Sequence, residues 1–129
     1  MSPPPGIAVY AKDLAVVARF YAAVAALGVV EEADGHVALA SDVLELVVVR
    51  IPAELAEEIS ISSPPARREE TPIKPLLPVV GIAAARELAA ALGGVVDGPE
   101  REWTWHGAAV VDGHDPEGNV FQLRASVAV

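Results

Sequence analysis

A chain of 129 residues with nine basic against eighteen acidic side chains has a formal net charge of −9, which excludes the clustered positive surface that nucleic acid or an anionic membrane requires. Its 53% hydrophobic content is led by alanine and valine, with two each of Trp, Tyr and Phe; one domain with a core of small side chains is expected, without a separate catalytic domain. Cysteine is absent, which removes disulfides, a thiolate nucleophile and sulfur ligation of a metal.

The opening Met1-Ser2-Pro3-Pro4-Pro5 lacks the basic-then-apolar order of a secretory signal, and no apolar run approaches a membrane span, so a cytoplasmic location is expected. Residues 6–11 read as a strand. Asp13 is placed to cap a helix over 14–27 that stops at Gly28, with Leu14, Val17, Phe20, Tyr21, Val24 and Leu27 forming one apolar stripe. Three strands are expected next, over 29–32, 36–40 and 43–51, the last rich in valine. A short helix over 53–59 leads into a charged, proline-containing stretch in which Arg67-Arg68-Glu69-Glu70 reads as a solvated loop.

A second round follows, with a strand over 73–80, a break at Gly81, and a helix over 82–92 ended by Gly93-Gly94. Strands are then expected near Val95, over 103–111 and over 120–125. The turn Asp115-Pro116-Glu117-Gly118-Asn119 aims the last of these, because proline fixes φ, glycine supplies φ > 0 and the Asp and Asn side chains bond nearby backbone. The order strand, helix, three strands thus occurs twice. The fold class is α+β: paired βαβββ modules, about 6–51 and 73–126, joined by a connector over 52–72 within one domain and forming a cupped mixed sheet.

Strand alternation selects the side chains that can line the cup. If Ile7, Val9 and Ala11 face the helix, then Tyr10, His36, Glu45, Lys74, Gln122 and Arg124 face the concave side. Lys74 and Glu45 can form an ion pair across the cleft; a Lys74 left desolvated and unpaired would instead be a candidate base or Schiff-base nucleophile. Trp103 and Trp105 share one face of their strand, where they can stack on a flat or cationic ligand or cover the core or a dimer contact. His114 stands between carboxylates, which favours imidazolium and a role as proton donor, or it holds its loop by hydrogen bonds.

The closing turn running into Val120-Phe121-Gln122-Leu123 resembles the last strand of the vicinal-oxygen-chelate superfamily, which includes glyoxalase I, ring-cleaving dioxygenases and bleomycin-resistance proteins. The opening Gly6-Ile7-Ala8-Val9-Tyr10-Ala11-Lys12-Asp13-Leu14, with Arg19-Phe20-Tyr21 and Leu27-Gly28, is similar to that superfamily's first module. The resemblance implies a ligand in the cleft between modules and, often, a homodimer. In metal-dependent members it implies cation ligands at positions corresponding to Gly6, Lys74 and Gln122, and near the end of the fourth strand, where this chain has Val47, Val49 and Arg50 with Glu45 earlier. Glycine offers no ligand atom and an ammonium repels a cation, so no metal or other cofactor is expected. A rearranged set from His36, His106, His114 and Glu45 is conceivable, but these residues lack short ligand spacing.

The expected function is metal-independent binding of a small organic molecule, cationic or aromatic, by a homodimer with no nucleic-acid or membrane partner. One alternative is an enzyme of the same superfamily, a lyase, isomerase or dioxygenase, using a rearranged metal site or Lys74 with His106. The other is a non-catalytic interaction protein.

Overall fold

The computed structural model describes residues 3–127; Met1, Ser2, Ala128 and Val129 lie outside the described residues, and with them the first two positions of the segment read for a secretory signal. In chain order the elements are β1 (Gly6–Ala11), α1 (Leu14–Val24), β2 (Gly28–Glu32), β3 (His36–Ala40), β4 (Glu45–Arg50) and α2 (Ala53–Ala56). They continue with β5 (Leu76–Pro78), α3 (Ile82–Ala91), β6 (Val95–Val96), a 3-10 turn (Pro99–Arg101), β7 (Trp103–Trp105), β8 (Ala108–His114) and β9 (Val120–Ser126). Two mixed sheets result, one ordered β1-β4-β3-β2 and the other β5-β9-β8-β6, with β7 also on β8. Because β6 pairs with Gly113 and His114 while β7 pairs with Ala108 to Val110, together they act as one interrupted edge strand, and the second sheet repeats the order of the first. In both, the first strand runs parallel to the last.

Helix α1 starts where its cap predicts, with the Asp13 carboxylate accepting the Val16 N–H at 3.3 Å. It ends earlier than the expected Leu27. Ala26 takes φ 54°, and the Leu27 N–H donates to the Ala22 carbonyl at 3.0 Å, the six-residue closure of a Schellman motif. An alanine in the left-handed region costs about 1–2 kcal/mol. The closure turns Leu27 into the core, which offsets that cost, and Gly28 becomes the first residue of β2.

Other boundaries also contract. The strand expected over 43–51 covers Glu45–Arg50, that over 73–80 covers Leu76–Pro78, and the helix over 53–59 covers Ala53–Ala56. Pro75 and Pro78 carry no N–H for a ladder, which confines β5 to a short edge. The strand expected over 103–111 is two strands joined by a hairpin. His106 and Gly107 have φ 47° and 76°, the pair of positive angles that a two-residue type I′ turn demands.

One contiguous core joins the halves. Phe20 and Tyr21 of α1 reach Phe121 of β9, with ring centroids 5.8 and 6.0 Å away, so a helix of the first half packs on the sheet of the second. Gly94 permits this approach, since a Cβ there would stand 2.3 Å from the Phe20 ring and 2.6 Å from the His114 carbonyl.

The turn over 115–119 completes the joint. One Asp115 carboxylate oxygen accepts the Glu117 and Asn119 N–H groups at 2.8 and 3.1 Å; the other accepts the Tyr21 hydroxyl and the Asn119 amide at 2.8 and 2.9 Å. The buried Glu117 carboxylate accepts the Lys12 and Asp13 N–H groups at 2.8 and 2.7 Å, at the entrance to α1. Gly118 has φ 87° and a Cβ there would lie 2.1 Å from the Ala66 carbonyl oxygen, so the connector passes directly over the turn. Replacing Glu117 with alanine orphans two backbone donors, and the loss in urea unfolding is expected to be about 2–3 kcal/mol, with a smaller loss for Glu117→Gln, which keeps one acceptor.

Candidate functional site

With the helices on one side, each sheet leaves its other face open. The pairing register sets Tyr10, Val49 and His36 in one row across the first sheet, Ala8, Val47 and Ala38 in the next, and Gly6, Glu45 and Ala40 in the third. Tyr10 is 62% exposed, as expected for an upright ring flanked by smaller neighbours. His36 is paired with Glu31 on the neighbouring strand.

The second sheet has rows of Leu76, Gln122 and Asp112, then Pro78, Arg124, Val110 and Trp103, then Ser126, Ala108 and Trp105. Trp103 and Trp105 are 44% and 49% exposed on the short β7. Val110, between Trp103 and Arg124, is fully buried although it lies outside the main core cluster. His106 sits in the hairpin turn, its ring centroid 4.2 Å from that of Trp105.

Lys74 does not pair with Glu45 across the cleft. Its ammonium donates to both Asp112 carboxylate oxygens at 3.0 and 3.2 Å, within its own half. Gln122 donates its amide to Asp112 at 3.3 Å and accepts the Arg124 Nε–H at 2.9 Å, so Lys74, Asp112, Gln122 and Arg124 form one hydrogen-bonded chain. A charge-paired lysine is a poor base or Schiff-base nucleophile. Nor can Lys74 work with His106: its partner Asp112 and the hairpin base at Ala108 are four residues apart on β8, roughly 13 Å at the rise of a strand.

The positions that the resemblance assigns to a cation do not fit one. Gly6 has no donor, Lys74 presents an ammonium, the Gln122 amide is held on both sides, and Arg50 turns its Nε–H to the Asp34 carbonyl at 3.0 Å. Glu45 is the one carboxylate left among them. His36, His106 and His114 are dispersed to a strand of the first sheet, a hairpin turn and a strand of the second. Among the described residues no three His, Asp or Glu side chains are grouped to hold a metal ion.

The connector is less solvated than its charges predict. Arg67 makes a two-pronged pair with Asp97 at 3.0 and 2.7 Å and donates Nε–H to His114 Nδ1 at 2.9 Å. Burial, and then the Arg67 guanidinium, push the His114 pKa below its usual value; this favours the neutral imidazole, against the imidazolium alternative, and Nδ1 accepts a hydrogen bond. Arg67 in turn holds the Asp97 carboxyl below the usual carboxylate range. Tyr21 shifts the other way, its phenol pushed well up by burial and by Asp115, so it stays a donor to that carboxylate.

Sequence reading missed Asp112, Arg67 and Asp97. Asp112 had a usable signal, since it shares its strand face with Val110. Arg67 and Asp97 had none, because their contact joins a loop to a distant turn.

At the seam between the halves lies a cavity of about 370 Å³, walled by Ala8 and Tyr10 of β1, by Arg68 of the connector, by Ile73 and Pro75 ahead of β5, and by Val120 of β9. No helix among the described residues is long and apolar enough to cross a membrane.

Residues 6–124 match the family model of a glyoxalase-like domain. No curated protein matches the chain in sequence. Among solved structures, a glyoxalase/bleomycin resistance protein/dioxygenase family enzyme from Burkholderia phytofirmans PsJN is similar at TM-score 0.68 and 16% identity, over 95% of this chain and 97% of that one. A glyoxalase/bleomycin resistance protein from Albidiferax ferrireducens T118 gives 0.67 and 14%, over 95% and 98%. The fosfomycin resistance protein FosX from Listeria monocytogenes gives 0.65 and 14%, over 98% and 95%.

A neutral buried histidine makes stability depend on pH. The folded pKa of His114 is depressed, so below the unfolded value of about 6.5 the unfolded chain takes up more protons, and the stability present above that value is lost as pH falls. The thermal midpoint is expected to drop between pH 7 and pH 5. His114→Asn, whose amide oxygen can replace the Nδ1 acceptor, is expected to flatten that drop.

Proposed function

The chain belongs to the glyoxalase-like domain family, and from that premise we propose that it binds a small, flat organic molecule against the open faces of its sheets without the help of a metal ion. One observation carries this reading: where cation ligands would stand there are a glycine, an ammonium tied to Asp112 and a carboxamide fixed by Asp112 and Arg124. The same faces keep large apolar side chains in solvent, namely Tyr10, Leu76, Trp103 and Trp105. Exposed rings on a stiff sheet can stack on a planar guest at little entropic cost. The net charge of −9 raises the local concentration of a cationic guest and favours one that is both aromatic and positively charged.

Candidate contacts are Tyr10, His36 and Glu45 on the first sheet, and Lys74, Gln122, Arg124, Trp103, Trp105 and His106 on the second. The protein acts in the cytoplasm as a homodimer, whose second copy covers part of the exposed apolar surface.

Tryptophan fluorescence titrated with 9-aminoacridine tests the reading, with metal analysis of the freshly purified protein alongside. Quenching is expected, and Trp103→Ala is expected to weaken binding about 2- to 30-fold, the range of one cation–π contact. A stoichiometric bound divalent cation would reverse the proposal.

A further inference from the structure

The seam cavity has a different character from the ring-lined faces. Of the polar side chains that line it, several are already committed: the Tyr21 hydroxyl and the Asn119 amide to Asp115, and the Thr71 hydroxyl to the Ile73 carbonyl at 2.9 Å. Two are not. Among the described residues the Arg68 guanidinium has no hydrogen-bond or ion-pair partner, and neither has the Tyr10 hydroxyl. Both are donors, and Arg68 is the sole charged residue in the wall. The rest of the lining is aliphatic, with Ala8, Ile73, Pro75 and Val120 prominent.

We propose that this cavity binds a small apolar carboxylic acid, its carboxylate accepting from Arg68 and Tyr10 and its hydrocarbon body lying against Ala8, Ile73, Pro75 and Val120. About 370 Å³ falls within the range of small-molecule sites, roughly 300–1,000 Å³. The lone lining cation is the charge that a bound anion would contact directly. At physiological ionic strength a bound anion senses charges within a screening length of about 8 Å, so near groups outweigh the net −9.

The near acidic groups do not line the cavity: Asp115 and Glu117 keep their charge but are held by donors of the turn and of the entrance to α1, and Glu69 lines an adjoining hollow with Arg67 and Lys74. Arg68 is also held at its base: its N–H donates to the Gly118 carbonyl at 2.9 Å, and its Cγ lies 3.6 Å from where a Gly118 Cβ would stand. The head therefore starts from a defined place, and a planar guanidinium suits a carboxylate fork. The site borders the open face of the first sheet, with which it shares Tyr10 and Ala8, but it uses neither Trp103 nor Trp105, so substitutions at Arg68 and at Trp103 separate the two readings.

Titration of the full chain with 2-naphthoate and, separately, 2-naphthamide, followed by amide NMR shifts and calorimetry, tests the assignment. Naphthoate is expected to shift Ala8, Tyr10 and Val120, and naphthamide to bind roughly tenfold or more weakly, as fits loss of a charge-assisted pair. Arg68→Gln, an exposed substitution that keeps the N–H to Gly118, is expected to remove the preference for the acid, and Arg68→Lys to restore part of it. Trp103→Ala is expected to leave it intact. Equal binding of acid and amide, retention of the preference in Arg68→Gln, shifts clustered away from the seam, or no binding of naphthoate would each overturn the proposal.

Discussion

Two carboxylates in one five-residue turn hold the halves of this protein in register. Asp115 folds the turn around itself and takes the Tyr21 hydroxyl from α1, while Glu117 takes the first two free N–H groups at the entrance to the same helix. Each buried oxygen is matched to a donor, which is the condition for burying negative charge without a counter-ion. Helix α1 is thus bonded to the second half at its start and by Tyr21, with the Phe20, Tyr21 and Phe121 cluster between. The connector is drawn in as well, since it crosses the turn at Gly118 and anchors through Arg67 on Asp97 and His114. The seam cavity exists because this joint sets β1 beside the connector and the start of β9.

Much of the fold could be read in advance because its signals are local. Asp13 caps, the stripe from Leu14 to Val24 faces the core, and strand parity sorted Tyr10, Glu45 and Gln122 from Val9, Leu46 and Leu123. What could not be read depends on groups far apart in sequence. Alternation runs unbroken through Trp105-His106-Gly107-Ala108, so a two-residue turn with an unusual first residue looks like continuing strand. The charge on His114 failed in the same way. Its sequence neighbours are acidic, but the group that donates to its ring comes from 47 positions away and is a guanidinium.

Parity chose the right face more reliably than it chose partners. Parity leaves Lys74 free to pair with Glu45 across the cleft or to stay unpaired, yet it pairs with Asp112, on the strand beside Gln122, which also sits against the Gln122 amide. A chain of alternating donors and acceptors from Lys74 to Arg124 follows. Such a chain fixes the orientation of each member, because rotating the Gln122 amide would set like groups together at both ends. The polar stripe of the second sheet is therefore internally paired, and the rings of Trp103 and Trp105 stand exposed at its border.

The first sheet reaches an open surface by a different route. Gly6 and Ala8 leave space where longer side chains would fill the face, and a Cβ at Gly6 would press to 3.1 Å against the Glu45 carbonyl, so the gap is partly enforced by the backbone of β4. Small residues at the centre of the first sheet beside Tyr10, and Trp103 and Trp105 on the second, give shallow, ring-edged surfaces. A cation site needs several donors converging within bonding distance; the first sheet separates Tyr10, His36 and Glu45 by row or by strand, and the second ties Asp112 to Lys74 and to the Gln122 amide. Rows that do not converge on a point can still present a plane, a shape suited to stacking and not to chelation.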